Sequence, residues 1–198
     1  MTFDFKRCRV SVSFFFFVTV CVARVLDVTD TAVLALCAAA VHECGHLCCM
    51  LCFGERPSRL FVAPFGFCIT RFATGGYRRE IIIALAGPLT NIFVALVLTV
   101  IMLACHLPGL FKPIIVNVAL ALFNLIPIEP LDCGRAVRCW LMCRTNTVRA
   151  EKTAFVIGVV FLVPLCAAGF YVLIKSRYNI TLLLASVYLS FMLLKRSE

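Results

Sequence analysis

The sequence predicts an all-α polytopic membrane protein of about six transmembrane helices, with a short interfacial β-hairpin between the second and third. Three observations carry this expectation. Of 198 residues, 63% are hydrophobic and only 15% charged, and the mean hydropathy is +1.03, far outside the range of ordinary soluble domains. The apolar residues also fall in runs close to the 17–25 residues that cross a hydrocarbon core. Finally, the basic residues gather at the ends of those runs, so the net charge of +9 marks topology and gives no reason to expect nucleic acid as a partner.

Taken in order, the apolar segments cover residues 10–26, 31–53, 81–105, 113–131, 153–174 and 180–194. Lys6, Arg7 and Arg9 before the first run have the look of a signal peptide, but Arg24 and Asp27 interrupt where a small-residue cleavage site belongs, so this run is expected to remain as a first span. Between the second and third segments, residues 54–80 mix Gly, Pro and Arg with Leu60, Phe61, Val62, Phe65, Phe67 and Ile69. That stretch is too interrupted to span, and its β-prone core broken by Pro64 and Gly66 suggests a hairpin over residues 60–71 lying in the interface or dipping into the protein. The 13 cysteines lie mostly inside apolar segments, where a thiol behaves as a small hydrophobe, and no disulfide framework is inferred. Residues 1–198 are expected to form one membrane domain.

Lys and Arg flanks stay in the cytoplasm. With the N-terminus inside, the inner segments hold 15 of the 19 basic residues and the outer ones only Arg24, Lys112, Lys175 and Arg177. This bias favours six crossings and both termini in the cytoplasm.

Within the second span stands His42-Glu43-Cys44-Gly45-His46. Imidazoles four residues apart share one face of a helix and can reach one metal, and this HExxH pattern is the zinc-binding arrangement in which the glutamate serves as general base. A catalytic zinc takes three protein ligands and keeps one position open for water, whose pKa it lowers to about 7. Glu43, beside the first ligand, would take the proton from that water and pass it to the leaving amine. Ionisable groups placed this deep are costly and mark function; the plain alternative is a polar patch joining helices.

Two histidines leave one protein ligand to be supplied, with His106, Glu129, Asp132, Cys44, Cys48 and Cys49 as candidates. His106 follows the third span on the outer face, whereas the motif lies past the midpoint of an inward-running helix. Cys44 is off the ligand face, and Cys49 would need distortion. Asp132 ends the fourth span on the inner side, within Asn124-Leu125-Ile126-Pro127-Ile128-Glu129-Pro130-Leu131-Asp132-Cys133-Gly134-Arg135. Pro127 and Pro130 prevent a regular helix there, which a membrane tolerates where backbone lines a cavity. An aspartate that merely caps the next helix is the alternative. Glu129 and Arg135 are left without a role.

These residues resemble the site-2 proteases, intramembrane zinc metalloproteases with HExxH in one span and an Asn-Pro…Asp-Gly segment in a later one. His42, Glu43 and His46 match the first motif; Asn124, Pro127, Asp132 and Gly134 match the second, with Cys133 where glycine is common; and Ala86-Gly87-Pro88-Leu89-Thr90-Asn91 is similar to the family's AGP-x-x-N stretch. The layout is most similar to the sporulation stage IV FB subgroup, without that group's C-terminal nucleotide-sensing domain. The resemblance implies one Zn2+ held by His42, His46 and Asp132, with Glu43 catalytic. It makes Asn124, together with Pro127, a candidate for binding substrate backbone or stabilising the oxyanion. It also implies a protein substrate, either a pro-sigma factor or a membrane-bound regulator, and a possible membrane-protein regulator. Asn91 suits an interhelical hydrogen bond at least as well as a substrate contact. The site is expected to open toward the cytoplasm. The reading from another class is a non-catalytic metal-binding membrane protein or carrier.

Overall fold

A computed structural model describes residues 2–5, 8–12, 30–55, 59–63, 66–70, 76–177 and 181–197. The helices among these residues are α1 (Thr31–Cys52), α2 (Tyr77–Cys105), α3 (Phe111–Asn124), α4 (Asp132–Arg144), α5 (Thr147–Ser176) and α6 (Thr181–Ser197), with a 3₁₀ turn at Pro108–Leu110. Three of them, α1, α2 and α5, are long and apolar enough to cross a membrane, and Pro108–Asn124 and Thr181–Lys195 are shorter apolar helical stretches. Large apolar side chains such as Leu89, Phe93, Leu96, Val160, Val163 and Ile174 stand exposed along α2 and α5. On a soluble protein so much bare apolar surface would be untenable; it suits contact with lipid tails, and the chain is an integral membrane protein.

The expected first span is corrected at its start. Cys8–Val12 forms a strand, β2, antiparallel to β1 (Thr2–Phe5). The reason is the period-2 alternation of apolar and polar residue types in Cys8-Arg9-Val10-Ser11-Val12 and in Thr2-Phe3-Asp4-Phe5, a strand pattern in the sequence. The rest of that expected span, residues 13–29, lies outside the described residues. A lone hairpin between the second and third spans is corrected too. Strands β3 (Arg59–Ala63) and β4 (Gly66–Thr70) pair antiparallel, but β3 also pairs in parallel with β2, giving one four-stranded sheet in the order β1-β2-β3-β4. Pairing partners distant in sequence leave no local signal, which is why the larger sheet is invisible from the hairpin alone.

The fourth expected span, drawn through residue 131, is broken. Helix α3 stops at Asn124, and α4 starts at Asp132. Between them the chain turns through Pro127 and Pro130, the latter following a cis peptide bond. Hydrogen bonds from the Ile128 N–H to the Ile126 carbonyl (2.8 Å) and from the Leu131 N–H to the Ile128 carbonyl (2.8 Å) tie the turn together. Ile128, fully buried, plugs this turn into the apolar cluster of Leu162 on α5 with Leu189 and Leu193 on α6. Burying such a side chain is worth about 1.5–3 kcal/mol, so the loop is pinned at its centre. Gly134 completes the fit: any side chain there would collide with the Ile128–Glu129 backbone.

Helix α2 is the hub, packing against α1, α3 and α4, while α4 leads on to α5 and α5 pairs with α6. The buried residues of α1 are Ala38, His42, Gly45, His46 and Met50, a stripe at spacings of three and four. Those of α2 include Ile83, Gly87, Asn91 and Ala95, again four apart. Gly45 lets the two helices meet closely, because a side chain there would strike Thr90 and the Ala86 carbonyl.

Candidate metal centre

The helical period brings the His42 and His46 rings together on the buried face of α1, 5% and 7% exposed as residues, with ring centroids 4.8 Å apart. The pinned turn delivers Asp132, itself 8% exposed, from 90 residues further along the chain. His42 Nε2 lies 2.8 Å from Asp132 Oδ2, His46 Nε2 lies 3.3 Å from the same oxygen, and the two Nε2 atoms are 3.2 Å apart. Asp132 is the first residue of α4, whose cap position is Leu131, and no side-chain cap bond is made there. Its carboxylate faces the histidines and does not cap the helix.

The outer edges of both rings are already committed. His46 Nδ1–H donates to the Ile83 carbonyl (2.7 Å), a group that can only accept. His42 Nδ1–H donates to Asn91 Oδ1 (2.7 Å). That direction follows from Asn91 Nδ2, which donates to the Ala38 carbonyl (3.1 Å) and to Asn117 Oδ1 (2.9 Å), leaving Oδ1 as the acceptor. Neutral imidazoles so fixed carry lone pairs on both Nε2 atoms, and these converge with a carboxylate oxygen on one point. Electron pairs gathered in this way call for a cation. Donors bound at 2.0–2.2 Å to a tetrahedral ion lie about 3.3–3.6 Å apart, close to the separations found. Two nitrogens and one carboxylate oxygen form the donor set of a catalytic zinc, with a fourth position left for water or substrate. The residues therefore fit a zinc ion, and among the described residues these three are the group of His, Cys, Asp and Glu side chains placed to hold a metal.

The other candidates lie elsewhere. His106 is exposed, a left-handed residue after the last turn of α2, about 35 Å along the helix from Ile83 at 1.5 Å per residue. Cys44 and Cys48 are exposed and Cys49 is half-buried, outside the cluster. Among the described residues Cys139 is the buried cysteine, and burial pushes its thiol up from the ordinary value, which keeps it from the thiolate form that binds metal. Glu129 pairs with Arg138 at 3.7 Å. Glu43 is half-buried beside His42 on α1. Asn124 ends α3 with its amide nitrogen bonded to the Leu120 carbonyl (3.0 Å), and Pro127 is half-buried in the turn leading to Asp132.

Two contributors escaped the sequence, Ile83 and Asn117, and a third, Gly87, was noted only as part of the AGP-x-x-N stretch, without a role. Ile83, Gly87 and Asn91 stand four apart, so one stripe of α2 meets both histidines. Gly87 lies against the imidazoles: a Cβ there would come within 2.6 Å of His42 Nε2 and 2.7 Å of His46 Cε1. Asn117, an amide in an apolar helix, was the detectable signal of the two that were missed.

No family model matches the sequence. Among curated proteins it is 26% identical over 164 residues to a zinc metalloprotease of Methanocaldococcus jannaschii, covering 80% of this chain and 47% of that protein. It is 34% identical over 101 residues to the stage IV sporulation protein FB of Bacillus subtilis, covering 48% and 34% respectively. The chain thus spans half or less of the length of these relatives. Its fold matches the solved site-2 protease from Methanocaldococcus jannaschii with a TM-score of 0.72 at 22% identity, over all of this chain and 95% of that one. In fold and in sequence, the chain resembles the site-2 protease family.

Proposed function

We propose that this chain is an intramembrane zinc metalloprotease that hydrolyses peptide bonds in or near the inner face of the membrane. The observation that carries the proposal is the convergence of His42 Nε2, His46 Nε2 and Asp132 Oδ2 with both Nδ1 atoms already bonded away. One zinc held by these three would polarise the scissile carbonyl and acidify water. Glu43, one residue from His42, is the general base that takes a proton from the attacking water and the acid that returns it to the departing amine as the C–N bond breaks. Asn124, at the end of α3 beside the turn that carries Pro127 and Asp132, is the candidate to hold substrate backbone or the developing oxyanion.

A helical substrate hides its carbonyls in hydrogen bonds and must be unwound before cleavage. Strand β4 is an outer strand of the sheet and offers backbone for an extended segment to join by strand addition. Cleavage of a membrane-bound substrate by a chain lacking residues 60–71 would overturn that role. The basic-residue bias supports six crossings with both termini and the site's opening in the cytoplasm. The substrate class that fits is a pro-sigma factor or a membrane-bound regulator, with a membrane protein as a further possible regulator, as the likeness to the stage IV sporulation protein suggests.

The test is Glu43→Gln, read by fragment size during co-expression with candidate substrates and by bound zinc. Lost cleavage with zinc retained supports the protease. Unchanged cleavage sinks the mechanism, and a wild-type chain that binds zinc yet cuts none of the substrates favours a non-catalytic metal carrier.

A further inference from the structure

Taking the zinc site as read above, we infer that Asn91 and Asn117 are positioning residues for the metal: a buried amide relay that fixes the tautomer of His42 from 49 residues away. The relay has three links and one direction. Asn117 Nδ2 donates to the Pro113 carbonyl (2.9 Å), which orients the Asn117 amide. Its Oδ1 therefore accepts from Asn91 Nδ2 (2.9 Å), while the second Asn91 Nδ2 hydrogen goes to the Ala38 carbonyl (3.1 Å). Asn91 Oδ1 is left to face His42 Nδ1 at 2.7 Å. Flipping the Asn91 amide would set its oxygen against the Ala38 carbonyl and the Asn117 oxygen, so that arrangement is excluded.

Burial makes the relay rigid. Asn91 is 0% exposed and Asn117 6%, and a buried amide deprived of a partner is costly, so every link is held by the next. In consequence His42 carries its proton on Nδ1 and its lone pair on Nε2, the atom turned toward His46 and Asp132. For His46 the Ile83 carbonyl does this work directly. The two ligands thus have unequal supports: one rests on backbone that no substitution removes, the other on two side chains. Groups that hold the second nitrogen of a ligating histidine typically change metal affinity 10–100-fold when removed.

The experiment measures zinc affinity on the full chain in detergent, by competition with a chromophoric chelator, alongside helical content by circular dichroism. Asn91→Leu, close in volume but unable to accept, is expected to weaken zinc on the order of 100-fold. Asn117→Leu, one link further out, is expected to cost on the order of 10-fold. Asn91→Gln keeps an amide that can accept from His42 and donate to its neighbours and should weaken zinc less than Asn91→Leu does, a rescue that a merely structural role would not produce. Equal zinc affinity in wild type and Asn91→Leu overturns the inference while leaving the protease reading intact. If Asn91→Leu fails to fold, the other two decide: Asn117→Leu at wild-type affinity, or Asn91→Gln as weak as a chain stripped of His42, overturns it. A wild-type chain that takes no zinc defeats the metal reading itself, a separate outcome.

Discussion

Two helix pairs in this molecule are built alike and loaded differently. Helices α1 and α2 approach through Gly45 and Gly87, and α5 and α6 through Gly158 and Gly169, where a side chain would meet Leu193 or the Leu182–Leu183 backbone. What lies between them differs. The α5–α6 interface holds Leu162, Leu189 and Leu193 around the plug of Ile128, contacts that any apolar side chain of similar volume could approximate. The α1–α2 interface holds two imidazoles and an asparagine, each with a defined hydrogen-bond partner. One interface is specified by volume, the other by atoms, and the pinned turn joins them: Ile128 faces the first and Asp132 the second.

The sharpest break in this contrast comes from Glu43→Gln, expected to lower substrate cleavage by about 10³-fold or more with zinc content near one per chain, measured by fragment analysis and elemental assay on the same preparation. Next come two variants read by zinc alone. Asp132→Ala should release most of the bound metal, and undiminished zinc would remove Asp132 from the ligand set. Gly87→Ala should do nearly as much, because the new methyl would overlap both rings and their Nδ1 bonds prevent them from backing away. Helical content should be unchanged in both.

On the apolar side the effects shift from chemistry to stability. Ile128→Ala empties the plug and should cost about 2–5 kcal/mol, read as a lower thermal midpoint in detergent, with zinc weakened only through the turn it anchors. Gly158→Ala should do least. Its Cβ would sit 3.2 Å from Leu193 Cδ1, the end of a flexible side chain, and the gain in helix propensity of about 1 kcal/mol offsets the crowding. The same substitution at Gly87 and Gly158, with opposite outcomes for zinc, is the direct test of the comparison.

How much of this was legible beforehand follows the same division. His42, Glu43 and His46 lie within five residues, and helical periodicity alone puts the two rings on one face. Asp132 was one candidate among several beside the prolines that forbid a helix before it, and it was the resemblance to the site-2 proteases that implied it as the third ligand. Asn91 was noticed, but an interhelical bond could not be told from a substrate contact until Ala38, Asn117 and His42 were in place around it. Ile83 could not have been found, since it acts through a backbone carbonyl that every residue has. Gly87 gave no sign of what it makes room for. The sheet was half visible: β3 and β4 are local, but the parallel pairing of β2 with β3 joins residues some 50 positions apart, and nothing in an isolated segment reports its partner.

The relay and the pinned turn also bear on when the protein can be armed. Asp132 is 90 residues beyond His42, and Asn91 is 49 beyond it. A growing chain that has emitted only α1 possesses two histidines with no fixed tautomer and no carboxylate, a weak trap for metal. Secure loading must wait until α2, α3 and the start of α4 have been made and packed. Synthesis therefore imposes an order in which insertion and assembly precede any secure binding of a metal by His42, His46 and Asp132.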